Sequence, residues 1–228
     1  MDPTVDIAVM CALELEASPL VNRLKGRRKT IGNQFVLVEG NLGSQRVAVA
    51  WTKATPNRVA AAADALLCTH RPRWLVAAGF AVGLVEDAWA GDIVLASELM
   101  DEETNYVSVD IRLSPEESAS SHAHTGRLVS TRKWPHSRAE KQDLHSRTGA
   151  LAADLQSFTL AKLCAQQQTK FLTMRILADD CSRDAGAAVG AVLSGSGRAM
   201  KIWKLRNTAN VYADRLAGFL VQVLPGLT

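Results

Sequence analysis

Thr169-Lys-Phe-Leu-Thr-Met-Arg-Ile-Leu-Ala-Asp179-Asp180 carries an apolar, β-rich centre over residues 171–177, bounded by polar residues on both sides. Such a run predicts a buried strand of about five to seven residues. At its carboxyl end the apolar character stops and two aspartates follow. In open α/β sheets, ligands are met just beyond the carboxyl ends of strands. An aspartate held against a dry sheet end can keep its proton and act as a general acid. The residues alone leave two readings of Asp179: a proton donor, or the cap of a following turn.

Upstream, Val5-Asp-Ile-Ala-Val-Met-Cys11 is a second apolar run, as a central strand would be. Leu20, Val21 and Leu24 then mark one face of a helix ending near the basic cluster at 25–29, with Pro19 expected in its first turn. Glu14 and Glu16 fall in the strand-to-helix connection, or are first-turn acids favoured by the helix dipole. Residues 35–39 and 46–51 predict antiparallel strands around a loop at 40–43. Residues 56–68 are Ala-rich and helical, 73–79 read as a buried strand, 80–84 as a glycine-bearing turn, and 91–97 as the next strand. Beyond a possible short strand at 106–111, residues 114–124 read as an exposed loop. His122 and His124 there lack a third metal ligand. Residues 126–131 resume strand character and 132–147 are charged, with Trp134 as their one large aromatic, either a surface hydrophobe or a ring that stacks. A helix at 158–167 feeds the opening strand. Residues 182–197 read as a flexible loop lacking the lysine and spacing of a P-loop. Lys201, Lys204 and Arg206 form a solvated basic face, and 207–223 an amphipathic helix. Strands alternating with helices predict one α/β domain over 1–228.

Composition narrows the function classes. Hydrophobic residues make up 47% of the 228 and charged residues 21%, which permits a sizeable core. The net charge of +3 is too slight to argue for a nucleic-acid or membrane partner, and none is expected. Cys11, Cys68, Cys164 and Cys181 form no CxxC pair, which favours a reducing, cytoplasmic setting. No stretch approaches the roughly 20 apolar residues of a membrane span, and the first residues lack a signal peptide's regions.

In register along nearly the whole chain stand Ile7-Ala-Val-Met-Cys-Ala-Leu-Glu-Leu-Glu16, Ala78-Gly-Phe-Ala-Val-Gly-Leu84, Gly149-Ala-Leu-Ala-Ala-Asp-Leu-Gln-Ser157 and Arg175-Ile-Leu-Ala-Asp-Asp180. With them the sequence resembles the nucleoside phosphorylase and nucleosidase superfamily, especially its methylthioadenosine/S-adenosylhomocysteine nucleosidase branch. The resemblance implies a three-layer α/β/α domain around a mixed sheet, usually a homodimer or larger oligomer, without metal or cofactor. It also implies cleavage of the N-glycosidic bond of a purine nucleoside or 5′-substituted adenosine, by water or, in a phosphorylase, by phosphate. Glu16 falls on the position that activates water, and Asp179 on the one that protonates the purine at N7. Leu155 and Gln156 hold the place of the pair that grips the ribose, and Trp134 stands about where an aromatic stacks on the base. With Ala81, Val82 and Ala178 these complete the implied substrate-binding set. Such a site needs Glu16 and Asp179 to act on one nucleoside with opposed protonation states.

The sequence departs from the family pattern at several of these positions. Ala178 replaces a serine that helps orient the acid. Gln156 replaces a glutamate, which could cost about 1–3 kcal/mol in sugar binding. Val82-Gly83 replaces a glycine pair, and Ala54-Thr-Pro-Asn57 replaces a small glycine-bearing turn. A shifted substrate, or a catalytically impaired relative that binds a nucleoside or another small metabolite, is the alternative these changes raise.

Overall fold

A computed structural model describes residues 5–33, 35–52, 56–109, 122–182 and 199–227. Parts of the expected turn at 54–57, strand at 106–111, loop at 114–124 and Gly/Ser-rich run at 182–197 lie outside the described residues. The chain divides into two compact units. One holds Met1–Gly79, Thr159–Thr173 and Ala213–Thr228; the other holds Phe80–Phe158 and Met174–Tyr212.

In the first unit, β1 (Ile7–Cys11) lies between β4 (Gln45–Thr52) and the start of β5 (Trp74–Gly83), parallel to both. All five residues of β1 are buried. A parallel strand covered on both faces has to read as a continuous apolar run, which is why no alternation is seen here. β3 (Phe35–Leu42) pairs antiparallel with β4 as expected, but residues 40–42, expected in the loop, belong to β3 and pair with β4, so the connection is only Gly43-Ser44; β2 (Lys25–Ile31) pairs antiparallel with β3. Alternate residues of β1 and β4 (Ala8, Met10, Ala48, Ala50) pack against Val59, Ala63 and Leu66 of α2 (Pro56–His70) and against Leu160 and Cys164.

The first helix departs from expectation in one respect. The helix before the basic cluster at 25–29 ends at Arg23, as expected, and the cluster itself lies in β2, all of whose residues are exposed. Charged side chains suit a sheet edge that must not recruit another strand. Glu14 and Glu16 are first-turn acids of helix α1 (Glu14–Arg23), the second of the two readings, whereas Pro19 lies in its second turn rather than its first. The connection from β1 is only Ala12-Leu13, so the helix begins earlier than its apolar face suggests.

In the second unit, β6 (Ile93–Asp101) is parallel to β8 (Ala123–Ser130), and β8 is parallel to β9 (Ala152–Asp154). The end of β5 pairs antiparallel with β9, while β10 (Lys170–Asp179) and β7 (Tyr106–Ser108) each pair antiparallel with β6. The fold class is therefore mixed α/β on a mixed sheet. Residues 80–83, expected as a turn, continue β5, with Val82 opposite Ala153. β10 runs ten residues, longer than its apolar core, so Asp179 is its last residue rather than the first beyond it. His124 lies within β8, not in a loop, with Nε2 3.1 Å from Asp92 Oδ2.

Among the described residues stand three further α-helices: α3 (Arg138–Thr148), α4 (Ser157–Gln166) and α5 (Ala199–Val223). The charged stretch at 132–147 hides α3, which starts on a capping box. Ser137 Oγ accepts from Glu140 N at 3.1 Å, and Glu140 Oε2 accepts from Ser137 N at 3.0 Å. It ends at Gly149, whose φ of +64° is the left-handed conformation glycine adopts without strain.

Candidate active site

Three polar arrangements in the second unit sit where apolar packing would be expected. The first is built on Asp154, 2% exposed at the end of β9. Its Oδ1 accepts from Ser130 Oγ at 2.6 Å and from Gln156 N at 3.2 Å. Its Oδ2 accepts from Ser157 N at 3.1 Å, from the Ser157 hydroxyl, and from Arg175 Nη2 at 2.7 Å. Arg175 also donates to Ser157 Oγ at 2.9 Å. A buried ion pair is tolerated only when its remaining lone pairs and protons are met, and here they largely are. The network fixes the turn that carries Leu155 and Gln156.

What that turn presents is less complete. Gln156 is 7% exposed, and among the described residues its Oε1 accepts no hydrogen bond. Trp134, at 9%, is buried rather than a surface hydrophobe, and its Nε1 has no acceptor among them. Unmet buried polar atoms are costly, so an acceptor and a donor left in this state suit a ligand or water. Thr131 N donates to Asp154 O at 2.7 Å, so the segment leading to Trp134 leaves the sheet beside β9.

The third arrangement surrounds Asp179. Lys141 of α3 is fully buried, and its Nζ donates to Asp179 Oδ2 and to Asp180 O, both at 2.7 Å. Asp179 Oδ1 accepts from Asp180 N at 3.1 Å. Asp179 is buried as expected, but its surroundings supply an ammonium instead of a dry, uncharged sheet end. The turn-capping role falls to Asp180, whose Oδ1 accepts from Ser182 N at 3.0 Å. The following thiol, Cys181, is pushed up in pKa by burial and by the carboxylates of Glu86 and Asp180, so it is held as a thiol. A Cβ on Gly83 would meet Leu177 Cδ1 at 3.1 Å and Asp179 O at 3.5 Å, so the end of β5 lies against the end of β10.

The second unit therefore contains Ala81, Val82, Trp134, Leu155, Gln156, Ala178 and Asp179. Ala81 and Val82 are fully buried, whereas Leu155 and Ala178 are partly exposed. Glu16 belongs to the first unit. Its Oε2 accepts from Ala12 N and Leu13 N, both at 2.9 Å, so it closes the amino end of α1 as a third-position helical acid does. Among the described residues, no group of three or more His, Cys, Asp and Glu is placed to hold a metal ion.

Sequence reasoning missed Lys141, Asp154 and Arg175. For Lys141 a signal existed. The Ser137-x-x-Glu140 capping box marks a helix start, and Lys141 lies three residues before Leu144, on the buried stripe Lys141, Leu144 and Thr148.

The family model of the phosphorylase superfamily matches residues 6–224. A 5′-methylthioadenosine/S-adenosylhomocysteine nucleosidase from Thermotoga maritima is 24% identical over 188 residues, covering 78% of this chain and 86% of that protein. Futalosine hydrolase from Helicobacter pylori superposes with a TM-score of 0.79 at 16% identity, covering 98% of each chain. The 5′-methylthioadenosine/S-adenosylhomocysteine nucleosidase of the same organism, solved with an aminopyrrolopyrimidine-bearing pyrrolidine, superposes at 0.78 and 15% identity over 99% of this chain and 100% of its own.

Proposed function

The chain belongs to the phosphorylase superfamily, and from that membership we propose that it hydrolyses the N-glycosidic bond of a purine nucleoside or 5′-substituted adenosine. It is an enzyme of the nucleosidase or phosphorylase type. The observation that carries the reading is a family match over residues 6–224 in a chain that has carboxylates at Glu16 and Asp179. A Thermotoga relative named for methylthioadenosine and S-adenosylhomocysteine supports the adenosine class.

In this reading Asp179 delivers a proton to the departing purine, and Glu16 orients and deprotonates the attacking water. Cleavage runs through a centre resembling an oxocarbenium ion, so help is needed at both the leaving group and the nucleophile. The unmet Gln156 Oε1 accepts from a ribose hydroxyl, and Trp134 offers its ring to the base. Glu16 as a base favours water over phosphate.

Incubation with 5′-methylthioadenosine, S-adenosylhomocysteine and adenosine, followed by chromatography, should release free adenine whether or not phosphate is added. Asp179→Asn should slow that release by about 100-fold or more. A second reading, a nucleoside-binding protein without turnover, is favoured by the two oxygens of Asp179 both accepting hydrogen bonds. No free base from any of the three compounds, with or without phosphate, would establish it. Release only in the presence of phosphate would make the protein a phosphorylase.

A further inference from the structure

Lys141 is a large, fully buried side chain on a predominantly polar helix, and its ammonium ends on Asp179 Oδ2 and Asp180 O. Burying a lone ammonium is expensive, and a surface lysine at this helix position would carry no such cost. We infer that Lys141 is a positioning residue for Asp179, fixing which carboxyl oxygen carries the transferable proton and compensating the charge left after transfer. The inference rests on the reading of Asp179 as the acid that protonates the leaving base.

The geometry sets the order of events. Oδ2 is occupied by the lysine at 2.7 Å, so the proton of the acid form sits on Oδ1. During cleavage that proton passes to a ring nitrogen of the base, while the electron pair of the glycosidic bond goes to the base. Asp179 is left as a carboxylate, and Lys141 already faces it. In the structure Oδ2 receives the lysine and Oδ1 the Asp180 N–H, contacts that a carboxylate accepts on both oxygens. Asp179 is reprotonated from water once the base has left. An ammonium at this distance in a buried setting stabilises the state that follows proton donation more than the state before it, which is how a neighbouring charge accelerates the step. Because Lys141 also ties Asp180 O, it holds the last residue of β10 and the turn beyond it together.

The test is a cycle of Lys141→Met, Asp179→Asn and the double variant, assayed for adenine release from 5′-methylthioadenosine. Lys141→Met should lower kcat by about 100-fold, within the range assigned to general acid catalysis, with KM changed less than about threefold. The double variant should release adenine no more slowly than Asp179→Asn alone, because the effect inferred for the lysine on the chemical step runs through that carboxyl. It also removes both buried charges, so it stays folded even where Lys141→Met strands an uncompensated carboxylate. A Lys141→Met enzyme with wild-type kcat overturns the inference. So does a double variant slower than Asp179→Asn by the whole factor the lysine substitution costs. Wild-type protein that releases no adenine instead defeats the assignment of function on which the inference stands.

Discussion

At Glu16 one carboxylate oxygen accepts two backbone N–H groups, so the structural role of the residue and the chemical role proposed for it call for different properties. Capping needs an acceptor oxygen, which glutamine also has; deprotonating water needs a charged base, which glutamine is not. Glu16→Gln should therefore cost about 0.5–1.5 kcal/mol of stability in urea unfolding, yet slow adenine release by about 100-fold or more. An enzyme that keeps full turnover with glutamine there would leave Glu16 as a helix cap and nothing else. In the proposed reading Gln156 poses the complementary case, a ribose contact made without charge. Its backbone is anchored through Asp154, so what it lacks against a glutamate is electrostatic and not positional.

Among the elements, α3 carries the lysine that reaches Asp179, and its start is held by exposed hydrogen bonds. Replacing Ser137 with Ala should destabilise the protein by about 1 kcal/mol, read as a shift of the urea midpoint. Glu140 gives this helix a pH dependence of known sign. Hydrogen bonds from the Ser137 and His136 backbone hold its carboxyl below the usual value of 4.5. A depressed carboxylate stabilises the fold above its unfolded pKa and loses that contribution as pH falls through its folded one. Thermal unfolding followed downward from pH 5 should thus lose stability below about 4.5 more steeply in the wild type than in Glu140→Gln. Parallel profiles would mean that the capping box is not held in solution. β2 shows the opposite logic, an element whose charges keep it solvated at a sheet edge.

For the molecule as a whole, thiol accessibility reports on packing in both units. Cys11, Cys164 and Cys181 are buried, and Cys68 on α2 is exposed. Burial alone pushes Cys164 up to about 12, so almost no thiolate exists there at neutral pH. A chromogenic disulfide reagent should modify one thiol quickly in the native protein and four after denaturation, with Cys68→Ser abolishing the fast phase. Two or more fast thiols in the native state would show that one of the buried sulfurs opens to solvent.

The mixed α/β class, the long buried strands and a carboxylate at the carboxyl end of β10 were written into local sequence, because apolar runs and their polar borders record burial residue by residue, whereas β2 and α3, built from charged residues, were not. Even there the borders slipped. β5 runs on through a stretch that reads as a turn, since pairing with Ala153 supplies the hydrogen bonds its own residues do not predict. The surroundings of Asp179 were not legible. Lys141 lies 38 residues before its partner in a run of charges, and a lysine's letter is the same whether its ammonium meets water or a buried carboxylate. The same holds for Arg175 and Asp154, whose pairing joins two strands. Local sequence thus fixed where a carboxylate would stand, and only the tertiary structure decided what charge it would face, because charge compensation is a property of residues brought together from afar.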